Sequence, residues 1–480
     1  MIREFPQDFT WGVATAAFQI EGAATEGGKA PSIWDTFCRE PGAVAGGDTG
    51  EVACDHYHRF ADDVALIADL GFPAYRFSTS WARVCPDGGT PNAEGIEFYE
   101  RLLGELEGAG IEPWLTLYHW DMPQALQDAG GWTRRETAEA FADYSEALYT
   151  CFGGRVRNWM TINEPWCVAM LGYASGEHAP GHTNPAEAAA AVHNLLLAHG
   201  LASERMRKIA AARGWDLNLG IVLNFAEPKP AVSGDPGCQE AALRIDGATA
   251  RIFLDPLFRG RYPEDVLEDM AGAGLGSNAQ PGDMRLISAP LDFLGINFYG
   301  GCAVAPPESG AWGDSGDDDV QTLGGGRPRQ SPWVGSERVQ VISRGKPRTA
   351  MDWEVEADDL RALLVRLHEE YTGPAGIQLV VCENGAAYED VPDPAGYVDD
   401  SADRALYYRQ HLAAVHDAIG EGADVAGYFA WSLLDNFEWA FGYAKRFGIV
   451  RVDYETQQRI PKWSASFLGT VASSNSLSGI

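Results

Sequence analysis

The feature that most constrains the fold of this 480-residue chain is a sustained alternation of apolar, strand-like runs with amphipathic helical segments. Eight runs are legible, at residues 10–15, 74–78, 113–118, 158–163, 218–224, 292–298, 378–383 and 425–431. Strands that alternate with helices form a parallel sheet, because each crossover helix returns the chain to the same end. One helical face reads Phe60, Val64, Ile67 and Leu70 and is closed by Gly71 just past the helix. Helix starts are expected at Thr133 with Glu136, at Asn184-Pro185 with Glu187, and at Ser401 before Leu406, Leu412, Val415 and Ile419.

An open doubly wound sheet would show the same alternation, so the strand ends decide. An open nucleotide-binding sheet needs a glycine-rich phosphate loop after an early strand, and the chain has none. Six runs end instead in polar or aromatic groups: Arg76, His119 with Trp120, Asn163 with Glu164, Asn297 with Tyr299, Glu383, and Trp431. A ring of such groups at the carboxyl ends is what a barrel site requires. The expected fold is α/β, a single (β/α)8 TIM barrel over residues 1–480 with elaborated βα loops at its carboxyl face. Residues 306–348 are rich in Gly, Pro, Ser and Asp and lack periodicity, so they read as a long loop excursion over the barrel mouth.

Two of the runs end in glutamates that no neighbouring charge explains: Thr161-Ile162-Asn163-Glu164-Pro165 and Val380-Val381-Cys382-Glu383-Asn384-Gly385. Only a closed barrel brings two such distant strand ends face to face. Two facing carboxyl groups are the minimum equipment for cleaving a glycosidic bond, one protonating the leaving oxygen while the other attacks the anomeric carbon or activates water.

Charge and composition narrow the partners. A net charge of −32 repels phosphate backbones and anionic lipid, so no nucleic acid and no membrane partner is expected, and a neutral small molecule fits better. No stretch approaches the roughly 18 unbroken apolar residues of a membrane span, and the N-terminal residues lack a signal-peptide core, so a cytoplasmic location is expected. The eight cysteines form no Cys-x-x-Cys pair and read as reduced. Asp55-His56-Tyr57-His58 lacks further ligands at fixed spacing, so no metal and no cofactor is expected. Oligomeric state is not readable from the chain.

A series of motifs carries a specific resemblance. They run in order as Phe9-Thr10-Trp11-Gly12, Gln19-Ile20-Glu21-Gly22, Tyr75-Arg76-Phe77-Ser78 with Ser80-Trp81, and Tyr118-His119-Trp120-Asp121 with Pro123-Gln124. The two glutamate motifs, Asn297-Phe298-Tyr299 and the segment Trp431-Ser432-Leu433-Leu434-Asp435-Asn436-Phe437-Glu438-Trp439 complete them. In this order the chain resembles glycoside hydrolase family 1, the β-glucosidase family of retaining enzymes. The resemblance implies Glu164 as general acid/base and Glu383 as nucleophile, with carboxyl groups roughly 5–5.5 Å apart and repulsion from Glu383 keeping Glu164 protonated. It implies Arg76 and Tyr299 as groups that hold Glu383 ionised and oriented.

By the same resemblance the substrate-binding set is Gln19, His119, Trp120, Asn163, Asn297, Tyr299, Trp353, Trp431, Glu438 and Trp439. Asn163 would reach the sugar 2-hydroxyl, and Gln19 with Glu438 would bridge hydroxyls at the far end of the ring. Trp431 and Trp439 would offer flat faces to sugar C–H groups, and Trp353 would be the leaving-group platform. Trp353 follows Met351-Asp352 where the family usually has Met-Gly; Cys167 is a further residue expected to border the leaving group. The implied activity is hydrolysis of terminal non-reducing β-D-glucosyl residues from β-glucosides and cello-oligosaccharides, with β-fucosides and β-galactosides as further substrates. A 6-phospho-β-glycosidase is the alternative; Glu438 would repel the phosphate, against a possible anion contact from Lys445. A non-catalytic sugar-binding homologue would usually have lost one of the two carboxylates, and both are present.

Overall fold

The computed structural model describes residues 2–308, 312, 321–322 and 328–478. Eight strands close into a barrel: β1 (Thr10–Ala14), β2 (Ala74–Ser78), β3 (Glu112–Tyr118), β4 (Asn158–Asn163), β5 (Asn218–Phe225), β6 (Phe293–Phe298), β7 (Gln378–Asn384) and β8 (Val425–Trp431). They follow one another round the barrel in chain order, β8 pairs with β1, and every pairing is parallel. A principal helix follows each strand: α1 (His56–Asp69), α2 (Ala93–Ala109), α3 (Arg135–Phe152), α4 (Pro185–Arg213), α5 (Ile252–Arg259), α6 (Ala357–Leu367), α7 (Arg404–Gly420) and α8 (Trp463–Ser474). This is the (β/α)8 TIM barrel expected from the alternation. Among the described residues no helix is long and apolar enough to cross a membrane.

The barrel interior is a packed core and not a channel. Trp114 of β3 lies against Phe293 and Phe429, at 5.5 and 5.1 Å between ring centroids, and Met160, Val222 and Val380 fill the space around them. Glycine makes room for these rings. A Cβ on Gly12 would stand 2.3 Å from the Phe429 ring, and one on Gly220 would stand 2.6 Å from Phe293. The filled interior leaves the carboxyl ends as the place where chemistry can open to solvent.

Two of the expected helix starts differ from the structure. Asn184 does cap α4: its Oδ1 accepts from the Ala186 N–H at 3.1 Å, with Pro185 at the first helical position. Thr133 instead turns its hydroxyl back to the Gly130 carbonyl at 2.7 Å, within a short 3-10 turn, and α3 begins at Arg135 without a side-chain cap. Ser401 lies ahead of α7, which begins at Arg404, and its N–H donates to Asp399. Of the expected excursion at 306–348, residues 309–311, 313–320 and 323–327 lie outside the described residues. The remainder is partly ordered into strands. Gln321–Thr322 pairs with Pro328–Arg329, and Gln340–Ile342 joins Cys302–Ala305 and Pro228–Pro230 in a three-stranded sheet.

Candidate active site

Both glutamates sit where their strands lose regular pairing. The register of β7 against β6 shifts between Val381 and Glu383, and that of β4 against β5 shifts between Met160 and Asn163. An irregularity of this kind re-aims side chains at a barrel rim. Glu164 itself has φ of 49°, in the left-handed region that non-glycine residues seldom occupy, and Trp120, Asp352 and Trp439 join it at 80°, 64° and 48°. All four line one cavity of about 400 Å³ at the carboxyl end, together with Glu383 and Glu438. Clustered backbone strain of this sort marks functional sites.

A single hydrogen-bonded chain joins the two carboxyl groups. Arg76 donates from Nη1 to Glu383 Oε1 at 2.6 Å and from Nη2 to Asn163 Oδ1 at 2.6 Å. Asn297 Nδ2 donates to that same Asn163 oxygen at 3.0 Å and to Glu164 Oε1 at 2.7 Å. The Tyr299 hydroxyl donates to Glu383 Oε2 at 2.6 Å; burial, then the charge of Glu383, holds the phenol well above its usual range, so it remains a donor. Glu383 is therefore an acceptor at both oxygens, the arrangement of a carboxylate anion.

Glu164 also accepts at both oxygens, but its donors, Asn297 and Cys167, are neutral, where Glu383 is paired with the Arg76 guanidinium. Burial first, and the charge of Glu383 second, push the Glu164 carboxyl up to about 8, so it holds a proton at neutral pH. Burial contributes more than the repulsion from Glu383 that the family resemblance implies. Cys167 donates from Sγ to Glu164 Oε2 at 3.2 Å, and its thiol stays protonated because burial and then the Glu164 charge hold it well above the usual thiol range. A carboxylate paired with a guanidinium beside a carboxyl that keeps its proton is the division of labour needed for acid-assisted displacement.

The remaining expected residues fall into two sets. Around the inner cavity several buried polar atoms lack partners among the described residues: Gln19 Oε1, Glu438 Oε2, His119 Nδ1 and Asn297 Oδ1. Gln19 is fixed by its own amide, which donates to Asn436 Oδ1 and the Phe437 carbonyl, and so lies against the segment that carries Glu438. Burial, then the Arg76 charge, depresses His119 far below the usual range; its neutral ring faces Asn163 Nδ2 through Nε2 at 3.2 Å, which assigns the N–H to Nδ1. Trp431 stacks on His119 and Trp439 on both His119 and Phe18. Trp120 lines the cavity, but its indole N–H is taken by the Asn163 carbonyl at 2.9 Å, so it offers a wall and no hydrogen bond. Gln19, Arg76 and Asn163 are fully buried; the other expected residues line the cavity.

Trp353 is 38% exposed at the rim and packs against Tyr299 at 5.5 Å. The Asp that precedes it, in place of the family's glycine, has φ of 64° and is held by Arg348, which donates to its carbonyl at 2.7 Å. Aspartate tolerates that conformation, so Trp353 keeps its place. Two electrostatic expectations need correction. Lys445 donates to the Ala350 carbonyl at 2.5 Å, lies over the Phe441 ring and does not line the cavity. Burial, then the charges of Glu383 and Glu164, push Glu438 up to about 8, so in the unliganded site it repels a phosphate less than an ionised carboxylate would.

The sequence reading missed His178, Leu171, Phe225, Val341 and Ile342, all on the cavity wall, and the Cys167–Glu164 bond. Only the last carried a signal, the three-residue spacing between a residue just ahead of a helix and one in its first turn. The metal-like fragment resolves into pairs: His56 meets Asp63 at 2.8 Å, and His58 meets Asp55 and Glu26.

Comparison with known proteins agrees with the geometry. The family model of glycosyl hydrolase family 1 matches residues 1–477. The thermostable β-glucosidase B of Thermobispora bispora is 46% identical over 98% of this chain and 91% of its own, and the bifunctional β-D-glucosidase/β-D-fucosidase of Bifidobacterium breve is 44% identical over 95% and 96%. The crystal structure of the psychrophilic β-glucosidase BglU from Micrococcus antarcticus is similar at 50% identity, with a TM-score of 0.91 and 98% of each chain covered. A match along nearly the whole sequence, on a barrel that gathers the expected carboxyl groups into one cavity, places the chain in glycosyl hydrolase family 1.

Proposed function

We propose that this barrel, as one catalytic unit over residues 1–480, is a retaining β-glucosidase in which Glu383 is the nucleophile and Glu164 the acid/base. The observation that carries the reading is the asymmetry of the pair: Glu383 accepts from Arg76 and Tyr299, whereas Glu164 is pushed up to about 8. In the first step Glu383 attacks the anomeric carbon while Glu164 gives its proton to the leaving oxygen. The ester that forms removes the Glu383 charge and with it one of the causes of the raised Glu164 carboxyl. Glu164 then takes a proton from the water that attacks the ester, which returns the β-anomer.

The partnerless atoms of Gln19, His119, Asn297 and Glu438, with the second amide hydrogen of Asn163, are the complement of a sugar's hydroxyls. Trp431 and Trp439 supply the faces. A terminal β-D-glucosyl unit fits this set, with β-fucosides and β-galactosides as further substrates; the B. breve relative is named for glucosides and fucosides. Against a 6-phosphate the stronger argument is the lack of an available cation. Among the described residues Arg348 is the one Arg or Lys on the wall, and it pairs with Asp352 and Glu354. A cytoplasmic location and short cello-oligosaccharides belong to the same reading, and eight free cysteines suit a reducing compartment.

The test uses an activated 2-deoxy-2-fluoro-β-glucoside, which traps the ester because the electron-poor ring resists its hydrolysis. Peptide mapping should find the label on Glu383, and NMR of early hydrolysis of a normal substrate should show β-glucose first. A label on another residue, or α-glucose first, overturns the assignment.

A further inference from the structure

The motif Glu383-Asn384-Gly385 carries two residues beyond the nucleophile. The ladder of β7 is interrupted on both sides at this point: its register shifts against β6 between Val381 and Glu383, and against β8 between Val381 and Asn384. Backbone pairing alone therefore does not fix the aim of Glu383. Side chains take over. Asn384 is wholly buried; its Nδ2 donates to the Phe298 carbonyl of β6 at 2.6 Å and to the Tyr407 hydroxyl at 3.0 Å. Its Oδ1 accepts from the Tyr428 hydroxyl of β8 at 2.6 Å. Both amide hydrogens and the amide oxygen are thus engaged. A Cβ on Gly385 would stand 1.9 Å from the Trp431 carbonyl oxygen, so only glycine lets the chain after the nucleophile pass so close to β8.

Tyr407 ties this anchor to Tyr299. Its hydroxyl accepts from Asn384 and gives its own hydrogen to the Tyr299 carbonyl at 3.0 Å. Burial holds the phenol well above its usual range, so it stays a donor. Tyr299 in turn donates its hydroxyl to Glu383 at 2.6 Å. The residue that follows the nucleophile and the residue that donates to it are therefore fixed to each other through one buried oxygen. Helix α7 holds that oxygen in place. Arg404, Tyr407, Tyr408 and His411 are spaced i, i+3, i+4 and i+7 and form one buried face of the helix. His411 stacks on the Tyr407 ring at 3.8 Å between centroids, and Arg404 donates to the Ala386 carbonyl at 3.2 Å. Tyr408 has a different target, the Trp431 carbonyl at 2.9 Å.

We infer that Tyr407 is a positioning residue for the attack step: its hydroxyl holds the Tyr299 donor in line with Glu383 and does not itself line the cavity. The inference rests on the reading of Glu383 as nucleophile and deepens it. Attack on the anomeric carbon depends on alignment, and a misplacement of about 1 Å costs about 100-fold in rate. The partnerless atoms of Gln19, His119 and Glu438 belong to other segments, so binding of the sugar in its ground state is spared.

Tyr407→Phe keeps the ring on His411 and removes only the hydroxyl. The readout is trapping by the activated 2-deoxy-2-fluoro-β-glucoside, whose limiting rate reports attack by Glu383 and whose half-saturating concentration reports binding. Tyr407→Phe should lower the limiting rate about 10- to 30-fold, with half-saturation within about twofold of the parent. In a Tyr299→Phe background, where the hydroxyl that Tyr407 serves is gone, the same change should cost less than about threefold. Tyr408→Phe removes an equally buried hydroxyl from the same helix and controls for lost packing; its effect should be the same factor in both backgrounds. Equal factors for Tyr407→Phe in the two backgrounds, an unmoved limiting rate, or a loss confined to half-saturation overturns the inference. So does coupling of Tyr408→Phe to Tyr299 as large as that of Tyr407→Phe. In each of these cases a label on Glu383 leaves the nucleophile reading standing, whereas a label on another residue in the parent overturns that reading and the inference with it.

Discussion

Replacing Cys167 by Val should carry activity to higher pH. The thiol donates to Glu164 Oε2 at 3.2 Å and is itself held in the protonated form, so it is a fixed donor to the acid/base. A donor favours the ionised carboxylate, and its removal must raise the carboxyl further from its present value of about 8. A hydrogen bond to a charged group is worth about 1.5–3 kcal/mol, and a thiol is a weak donor, so about 1 kcal/mol is the expected loss. That converts to an upward shift of about 0.7 pH unit. Valine also adds an apolar surface against the carboxyl, which acts in the same direction. The assay is kcat/KM of an aryl β-glucoside against pH, in which the alkaline limb reports deprotonation of Glu164 in the free enzyme. Cys167→Ser, which restores a stronger donor, should leave the limb at or below its parental position. A limb that stays put in the Val variant, or moves to lower pH, refutes the argument.

Glu164→Gln should cost poor leaving groups about 10²–10⁴-fold in kcat/KM and activated aryl glucosides far less, since only the former need a proton to depart; equal losses would remove Glu164 as the acid. Glu438→Ser should lower kcat/KM for plain β-glucosides about 100-fold by leaving sugar hydroxyls unpaired, and raise the ratio of 6-phospho-glucoside to glucoside while the absolute phospho-glucoside rate stays low, because the one cation on the described wall is already paired. A ratio unmoved by the change would take Glu438 out of the specificity set. Asp121→Asn should stabilise the fold at alkaline pH: burial pushes this carboxyl up to about 7, so between about pH 4 and 7 the native state keeps a proton that the unfolded chain has lost, and stability falls as pH rises through that window. The shift bounds the relief at about 4 kcal/mol above pH 7, and the gap in melting temperature between variant and parent should widen from pH 5 to pH 8; a constant gap contradicts the sign.

The elements that sequence reveals and those it hides differ in what fixes them. Strand limits are legible to within a residue or two because burial on both faces demands unbroken apolar runs, and β2, β4 and β8 coincide with the runs read from the chain. The caps at Thr133 and Ser401 failed because a hydroxyl near a helix start has competing partners. Thr133 closes its own turn onto Gly130, while the start of α7 is set by Arg404, buried between Asp390 and Asp400. The carboxyl groups were legible as strand-end residues, yet what tunes them was not. Pro165 keeps Glu164 out of the right-handed helical region without specifying its left-handed backbone, and the shift between Val381 and Glu383 contains no glycine or proline to announce it.

The cavity wall at Val341 and Ile342 was hidden for a related reason. Val341 and Ile342 belong to a segment with no period of its own, and they join the cavity wall where that segment pairs with Cys302–Ala305. The inner site is carried by motifs on the strands, whose positions are set by barrel closure. The wall at Val341 and Ile342 is carried by loop-borne strands, packed with a small core that includes Ala241, Ile245 and Val339. Substitutions in that core should therefore displace Val341 and Ile342 on the cavity wall while the hydrogen-bonded chain from Arg76 to Glu164, anchored on β2, β4 and β6, keeps its geometry.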